Sequence, residues 1–309
     1  MEMLIHNTVH VLLAFTMSPL LLGVIAKTKA VFAGRAGPPV LQPYYDIVKL
    51  FRKGSVFSTT TTWVFRAGPV VGLVTAGMAV LLVPLVGETT PVSFTGDLIL
   101  FAYLFGLGRF FTASAALDTG SAFEGMGAAR EVTFACLAEP ALFLGLLVLA
   151  KLSGHLRLAA LLGDPQLGAH WAQAGASLAL VLLSWFIVLL AENCRIPFDD
   201  PNTHLELTMI HEVMVLDHSG PALGMILYGA ALKFFVFEAL VVRLAMPLTT
   251  GSAWLDWPAF GAGMLVLAVA VGVVESTMAR LRLTHVPILL VAACLLSAFG
   301  IILLMRRGR

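Results

Sequence analysis

The sequence predicts an all-α, polytopic membrane protein of about eight transmembrane helices, and three observations predict it. Apolar residues make up 59% of the 309 positions and charged residues only 12%. Soluble domains average about 25% charged residues, so the apolar surface here exceeds what one soluble core buries. Apolar runs of about 20 residues, long enough to cross a bilayer, recur along the whole length. The longest polar stretches fall between those runs, which makes residues 1–309 a single integral membrane domain.

The runs fall near 4–27, 66–87, 97–117, 131–150, 172–192, 220–244, 259–278 and 285–305. The N-terminus reads MEMLIHNTVH, with no basic leader region, and the first run, which begins within it, is too long for a signal-peptide core. Pro84, Pro91, Pro165, Pro201, Pro247 and Pro258 punctuate the connections. Loops are expected near 28–65, 118–130, 193–219 and 279–284 on one side of the membrane. That side holds Lys29, Arg35, Lys49, Arg52, Lys53, Arg130, Arg195, Arg280 and Arg282, so the positive-inside rule makes it cytoplasmic. Both termini then face outward, with the basic tail Arg306, Arg307 and Arg309 opposing the trend. In the first loop, Tyr44, Ile47, Val48, Leu50 and Phe51 interleave with Asp46, Lys49, Arg52 and Lys53, the pattern of a short helix lying in the membrane interface.

Ionisable residues inside spans are costly, at about 3 kcal/mol each on insertion scales, and persist where they pair or line a wet path. Glu131 and Glu139 lie in the fourth span, about 12 Å apart along an ideal helix axis, with Arg130 at its start and Pro140 as a bend. Arg109 lies inside the third span, Lys233 and Glu238 inside the sixth, and Glu275 at the end of the seventh. Glu192 closes the fifth span, and Asp199, Asp200, Glu206, Glu212 and Asp217 follow it. His204, His211 and His218 recur at seven-residue steps and could share one helical face. A connected ionisable path through the membrane accounts for this set better than isolated structural ion pairs do.

Other chemistries find no support. Cys136, Cys194 and Cys294 include no CxxC pair, so an iron–sulfur or zinc site within the chain is not expected; they read as small buried hydrophobes. The His and Glu residues lack the close ligand pair of a zinc site, and no metal or cofactor ligand is assigned. No GxGxxG or Walker sequence appears, and no basic tract suggests nucleic acid. No catalytic residue is assigned.

Three blocks stand out: GRAGPPVLQPYYDIVKLFRK (Gly34 to Lys53), LDTGSAFEGMGAAREVTFACLAEP (Leu117 to Pro140) and ENCRIPFDDPNTHLELTMIHEVMVLDHSG (from Glu192). They resemble the NADH dehydrogenase subunit 1 family of respiratory complex I, and more closely its relatives in membrane-bound group 4 nickel–iron hydrogenases of the formate hydrogenlyase and hydrogenase-4 type. ESTMARLRL near Glu275 adds to them. The short first block is similar to the hydrogenase branch. The third block has His204 in place of an acid and lacks the Glu–Tyr–Ser element of complex I members.

The resemblance implies a non-catalytic anchor and proton-translocating subunit in a bacterial or archaeal inner membrane. It implies an iron–sulfur subunit and a hydrogenase-like large subunit on the cytoplasmic face, antiporter-like subunits beside it in the bilayer, and iron–sulfur clusters and a nickel–iron centre in those partners only. The implied proton path runs through Glu131, Glu139, Glu192, Asp199 and Glu206, to which the residues add Glu212, Lys233, Glu238 and Glu275. Arg130 and Arg195 would tune its charges, and Arg35, Asp46 and Lys49 would shape the docking face. The corresponding subunit of an NADH–quinone oxidoreductase, forming its quinone site, and a stand-alone ion transporter stand as alternatives.

Overall fold

The structure, a computed structural model, describes residues 2–199, 209–247 and 252–307. His204, Asp200, Pro201 and Glu206 therefore lie outside the described residues. Among the described residues, ten α-helices follow in order: α1 (Glu2–Phe32), α2 (Gln42–Phe51), α3 (Trp63–Leu82), α4 (Asp97–Asp118), α5 (Ala122–Ser153), α6 (Leu158–Leu162), α7 (Leu167–Glu192), α8 (Gly220–Ala245), α9 (Ala253–Thr277) and α10 (Val286–Arg307). Among the described residues no strand occurs, and eight helices are long and apolar enough to cross a membrane. They are all but α2 and α6, and they match the eight apolar runs one for one.

The ends of these helices are set by local chemistry. Thr62 caps α3 by accepting from the Val64 amide at 3.2 Å, and the Asp118 carboxylate holds the Thr62 amide at 2.6 Å. Gly154, at φ 72°, takes the left-handed turn that closes α5. Helix α8 is the centre of the bundle. It packs against α1, α2, α3, α7 and α9, whereas α4 and α10 keep most of their surface outward. Lipid offers the helices no hydrophobic drive to associate, so close backbone approach and interhelical hydrogen bonds hold them. A Cβ on Gly68 would meet Ala115 Cβ at 2.9 Å, and one on Gly108 would meet Thr75 Oγ1 at 2.7 Å, so these glycines let α3 and α4 touch. Ser184 Oγ donates to Ala293 O at 2.8 Å and Ser297 Oγ to Ala141 O at 3.0 Å, tying α10 to α7 and α5.

Three expectations need correction. The Gly-rich stretch expected as a loop over 118–130 is mostly helix: α5 starts at Ala122, leaving 119–121 as the connection. Gly127 sits within that helix where the chain packs closely, with Ile210 O and Met214 Cγ each 3.0 Å from where its Cβ would stand. Pro258 lies inside α9 rather than in a connection, as its sixth residue, where the ring leaves the Trp254 carbonyl without its intrahelical amide. The 209–219 segment does not put His211 and His218 on one helical face. It holds only a 3-10 turn, Glu212–Val215, between them.

The expected interfacial helix is α2. None of its residues is buried, and it leans on α1 and α8, with the Tyr44 hydroxyl donating to Thr16 O.

Candidate functional site

Arg109 stands near the middle of α4, on the side facing α5 and α7. Its Nη2 donates to both carboxylate oxygens of Glu192 at 2.9 and 2.8 Å, and its Nη1 to Glu139. Its Nε lies 3.9 Å from Glu131 Oε1. Lys233, from α8, reaches Glu192 Oε2, an oxygen that Arg109 also holds, at 2.8 Å. Three carboxylates from α5 and α7 thus surround two cations from α4 and α8. Glu192 is the last residue of α7, where the helix dipole disfavours negative charge. The two cations offset that, and a guanidinium fork suits the carboxylate geometrically. Removing either partner of such a buried pair leaves an uncompensated charge, at about 3–5 kcal/mol.

The cluster opens on a cavity of about 110 Å³ between α3, α4, α5, α7 and α8. Arg109, Glu131, Glu192, Cys194, His211 and Lys233 supply its polar wall. The volume holds several waters, and the polar groups are spaced to bind them. Glu139 stands apart from this wall, with 42% of its side chain exposed.

A second set of charges organises the loop face. Glu275 at the end of α9 pairs with Lys29 of α1 at 2.8 Å and Arg195 at 3.4 Å. The Arg195 guanidinium also lies over the Phe234 ring, 5.2 Å from its centroid. Asp199 pairs with Arg280 at 2.7 Å and accepts from the Ile210 amide at 2.9 Å. Arg130 donates to Met209 O at 2.8 Å. The loop after α7 is therefore stitched to α5, α9 and the 278–285 connection by charged side chains. Burial pushes the Cys194 thiol up and the His211 imidazole down, so both are neutral in the folded chain. Burial likewise lowers His218 to about 4, and its ring stacks on Phe65 with centroids 3.9 Å apart.

The structure thus brings together Glu131, Glu139, Glu192 and Lys233 in one cluster, and Asp199, Glu275, Arg130 and Arg195 beside it on the loop face. Glu238 is buried on α8, and neither of its oxygens has a hydrogen-bond partner among the described residues. Glu212 opens the 3-10 turn at the edge of the set. Arg35, Asp46 and Lys49 are exposed on and before α2, away from the cluster. Arg109 is the member that sequence reasoning undervalued. Its place inside a span was visible, but its three partners are 22 to 83 residues away and only the fold selects them. Cys194, expected as a buried hydrophobe, lines the cavity beside Glu131.

The model of the NADH dehydrogenase family matches residues 5–306. Formate hydrogenlyase subunit 4 of Escherichia coli strain K12 is 33% identical over 296 residues, covering 92% of each chain. Hydrogenase-4 component C of the same organism is 35% identical, covering 75% of this chain and 71% of that one. A subunit of the NADH-quinone oxidoreductase of Rubrobacter xylanophilus is 31% identical over 56% of this chain and 53% of its own. Among solved structures, a chain of the membrane-bound sulfane sulfur reductase, an archaeal respiratory membrane complex, superposes with a TM-score of 0.81 over 98% of this chain and 99% of that one, at 20% identity. With its eight apolar helices, the chain belongs to the NADH dehydrogenase subunit 1 family of multi-pass membrane proteins, alongside the formate hydrogenlyase and hydrogenase-4 subunits.

Proposed function

We propose that this chain is the non-catalytic anchor and proton-translocating subunit of a membrane-bound, hydrogenase-like oxidoreductase complex of a bacterial or archaeal plasma membrane. The observation that carries the proposal is the Arg109–Glu131–Glu139–Glu192–Lys233 cluster against a cavity large enough for water. An anchor alone has no need of buried charges at this cost. In low dielectric, a carboxylate is neutral or charged according to its neighbours. Moving the loop that bears Asp199 and Arg195, or changing the charge of a redox centre docked beside it, alters that neighbourhood and so drives proton uptake or release.

Two features support the expected partners. Arg35, Asp46 and Lys49 are exposed with α2 on the loop face, where an iron–sulfur subunit and a large subunit bearing a nickel–iron centre would dock. Glu139, though paired with Arg109, keeps 42% of its side chain exposed, and a half-exposed carboxylate in a span is costly against lipid, so an antiporter-like membrane neighbour fits that side. Purifying the chain from native membranes in mild detergent tests the assembly. A nickel–iron large subunit and an iron–sulfur subunit are expected with it. Flavin-bearing NADH-oxidising subunits would point instead to a complex I membership, and isolation as a lone active chain would contradict both. The ion route is tested by replacing Glu139 with Gln, which should abolish ion translocation and leave assembly intact.

A further inference from the structure

We propose that Glu131, Cys194 and His211 form a binding site for a zinc-class divalent cation at the loop-side wall of the cavity. One carboxylate oxygen, the thiol sulfur and one imidazole nitrogen lie within 4.8 Å of one another, contributed by three separate segments. The Cys194 sulfur is 4.0 Å from Glu131 Oε2. Tetrahedral zinc sets such ligands about 3.5 Å apart, so the trio closes by about an ångström on binding. Carboxylate, thiolate and neutral imidazole are the ligand types that zinc and its borderline-soft neighbours take, and three protein ligands leave a fourth position for water from the cavity.

Two independent observations favour a ligand here. Cys194 is the one non-glycine residue with positive φ among the described residues, at 50°. That conformation costs free energy for a side-chain-bearing residue and clusters at functional sites. The same three side chains also line the principal cavity, so an ion can reach them. The surrounding charge suits a cation: the carboxylates of Glu131, Asp199 and Glu192 act on the Cys194 sulfur against the ammonium of Lys233. Binding displaces the thiol proton to water, leaving a thiolate on the metal. An ion seated there ties α5 to the loop after α7 and to the 209–219 segment, three elements that otherwise meet through hydrogen bonds and packing. This site goes beyond the proposed ion route, and it is accessible to an experiment that does not depend on proton movement.

The test is cobalt binding to the purified full chain in detergent, followed by the thiolate-to-cobalt absorption band. About one cobalt ion per chain with that band is expected, competed away by zinc. Cys194→Ser should remove the band, while Cys136→Ser and Cys294→Ser retain it. His211→Gln should keep the helical circular dichroism of the wild type and weaken cobalt binding by more than about tenfold. An unaltered band in Cys194→Ser, unweakened binding in His211→Gln, or no band in the folded wild type would overturn the assignment. Because the readout is binding, it can fail while the ion route stands, and the reverse.

Discussion

Arg109 holds three acids from two helices, so its substitution should be among the most damaging in the chain. Arg109→Met takes the guanidinium from Glu131 and Glu139 and leaves Glu192 with Lys233, and should cost about 3–5 kcal/mol. Arg109→Lys keeps the charge but not the two-oxygen grip on Glu192, so it should recover only part of that loss. Unfolding of the two variants in detergent, compared with wild type, checks the order. His218 makes a pH prediction. Its folded imidazole is lowered to about 4 against an ordinary 6.5, so between those values the unfolded chain binds a proton that the folded chain does not. Its contribution is intact above 6.5 and is lost as pH falls toward 4. A melting curve that declines over that window in wild type, and less so in His218→Phe, is expected. The acids were legible in sequence because a charge within an apolar run stands out. Their pairing was not, since Arg109 and Glu192 are 83 positions apart and only the packing of α5 against both α4 and α7 brings them together.

The helices were legible in number and kind but less so in extent. Hydropathy marks the part of a helix in hydrocarbon, and α5 runs 32 residues, about 48 Å, against an apolar core of about 30 Å. Its first turns carry Gly125, Gly127, Glu124 and Arg130, which read as a loop by composition and are helix by packing. Gly127 should be intolerant for that reason. Gly127→Leu places a side chain where Ile210 O and Met214 Cγ already stand, and should cost about 1–3 kcal/mol. Limited proteolysis should then cut the 209–219 segment faster than in wild type, whereas Gly125→Leu, beside Leu117 Cδ2 at 3.7 Å, should have the smaller effect. The interfacial helix was legible because its amphipathic pattern is short and continuous. The turn at Glu212–Val215 was not, because His211 and His218 keep a helical spacing that the described 209–219 segment does not follow.

For the whole molecule, eight spans place both termini on one side and the loop face on the other. The loop face carries the basic residues, so it should be cytoplasmic. Single cysteines introduced at Lys49 and Lys151 should label from opposite sides of intact vesicles, Lys49→Cys from the cytoplasmic side. That face gathers the exposed α2, the charge-stitched loop after α7 and the mouth of the ionic cluster, so a partner docked there can reach the buried carboxylates through Asp199 and Arg195. Proton translocation by the assembled complex in sealed vesicles, with Glu139→Gln beside wild type, separates a working ion route from a structural network most directly. The expected result is an assembled complex that still turns over its redox substrates and moves no protons; wild-type proton movement in that variant would contradict the route.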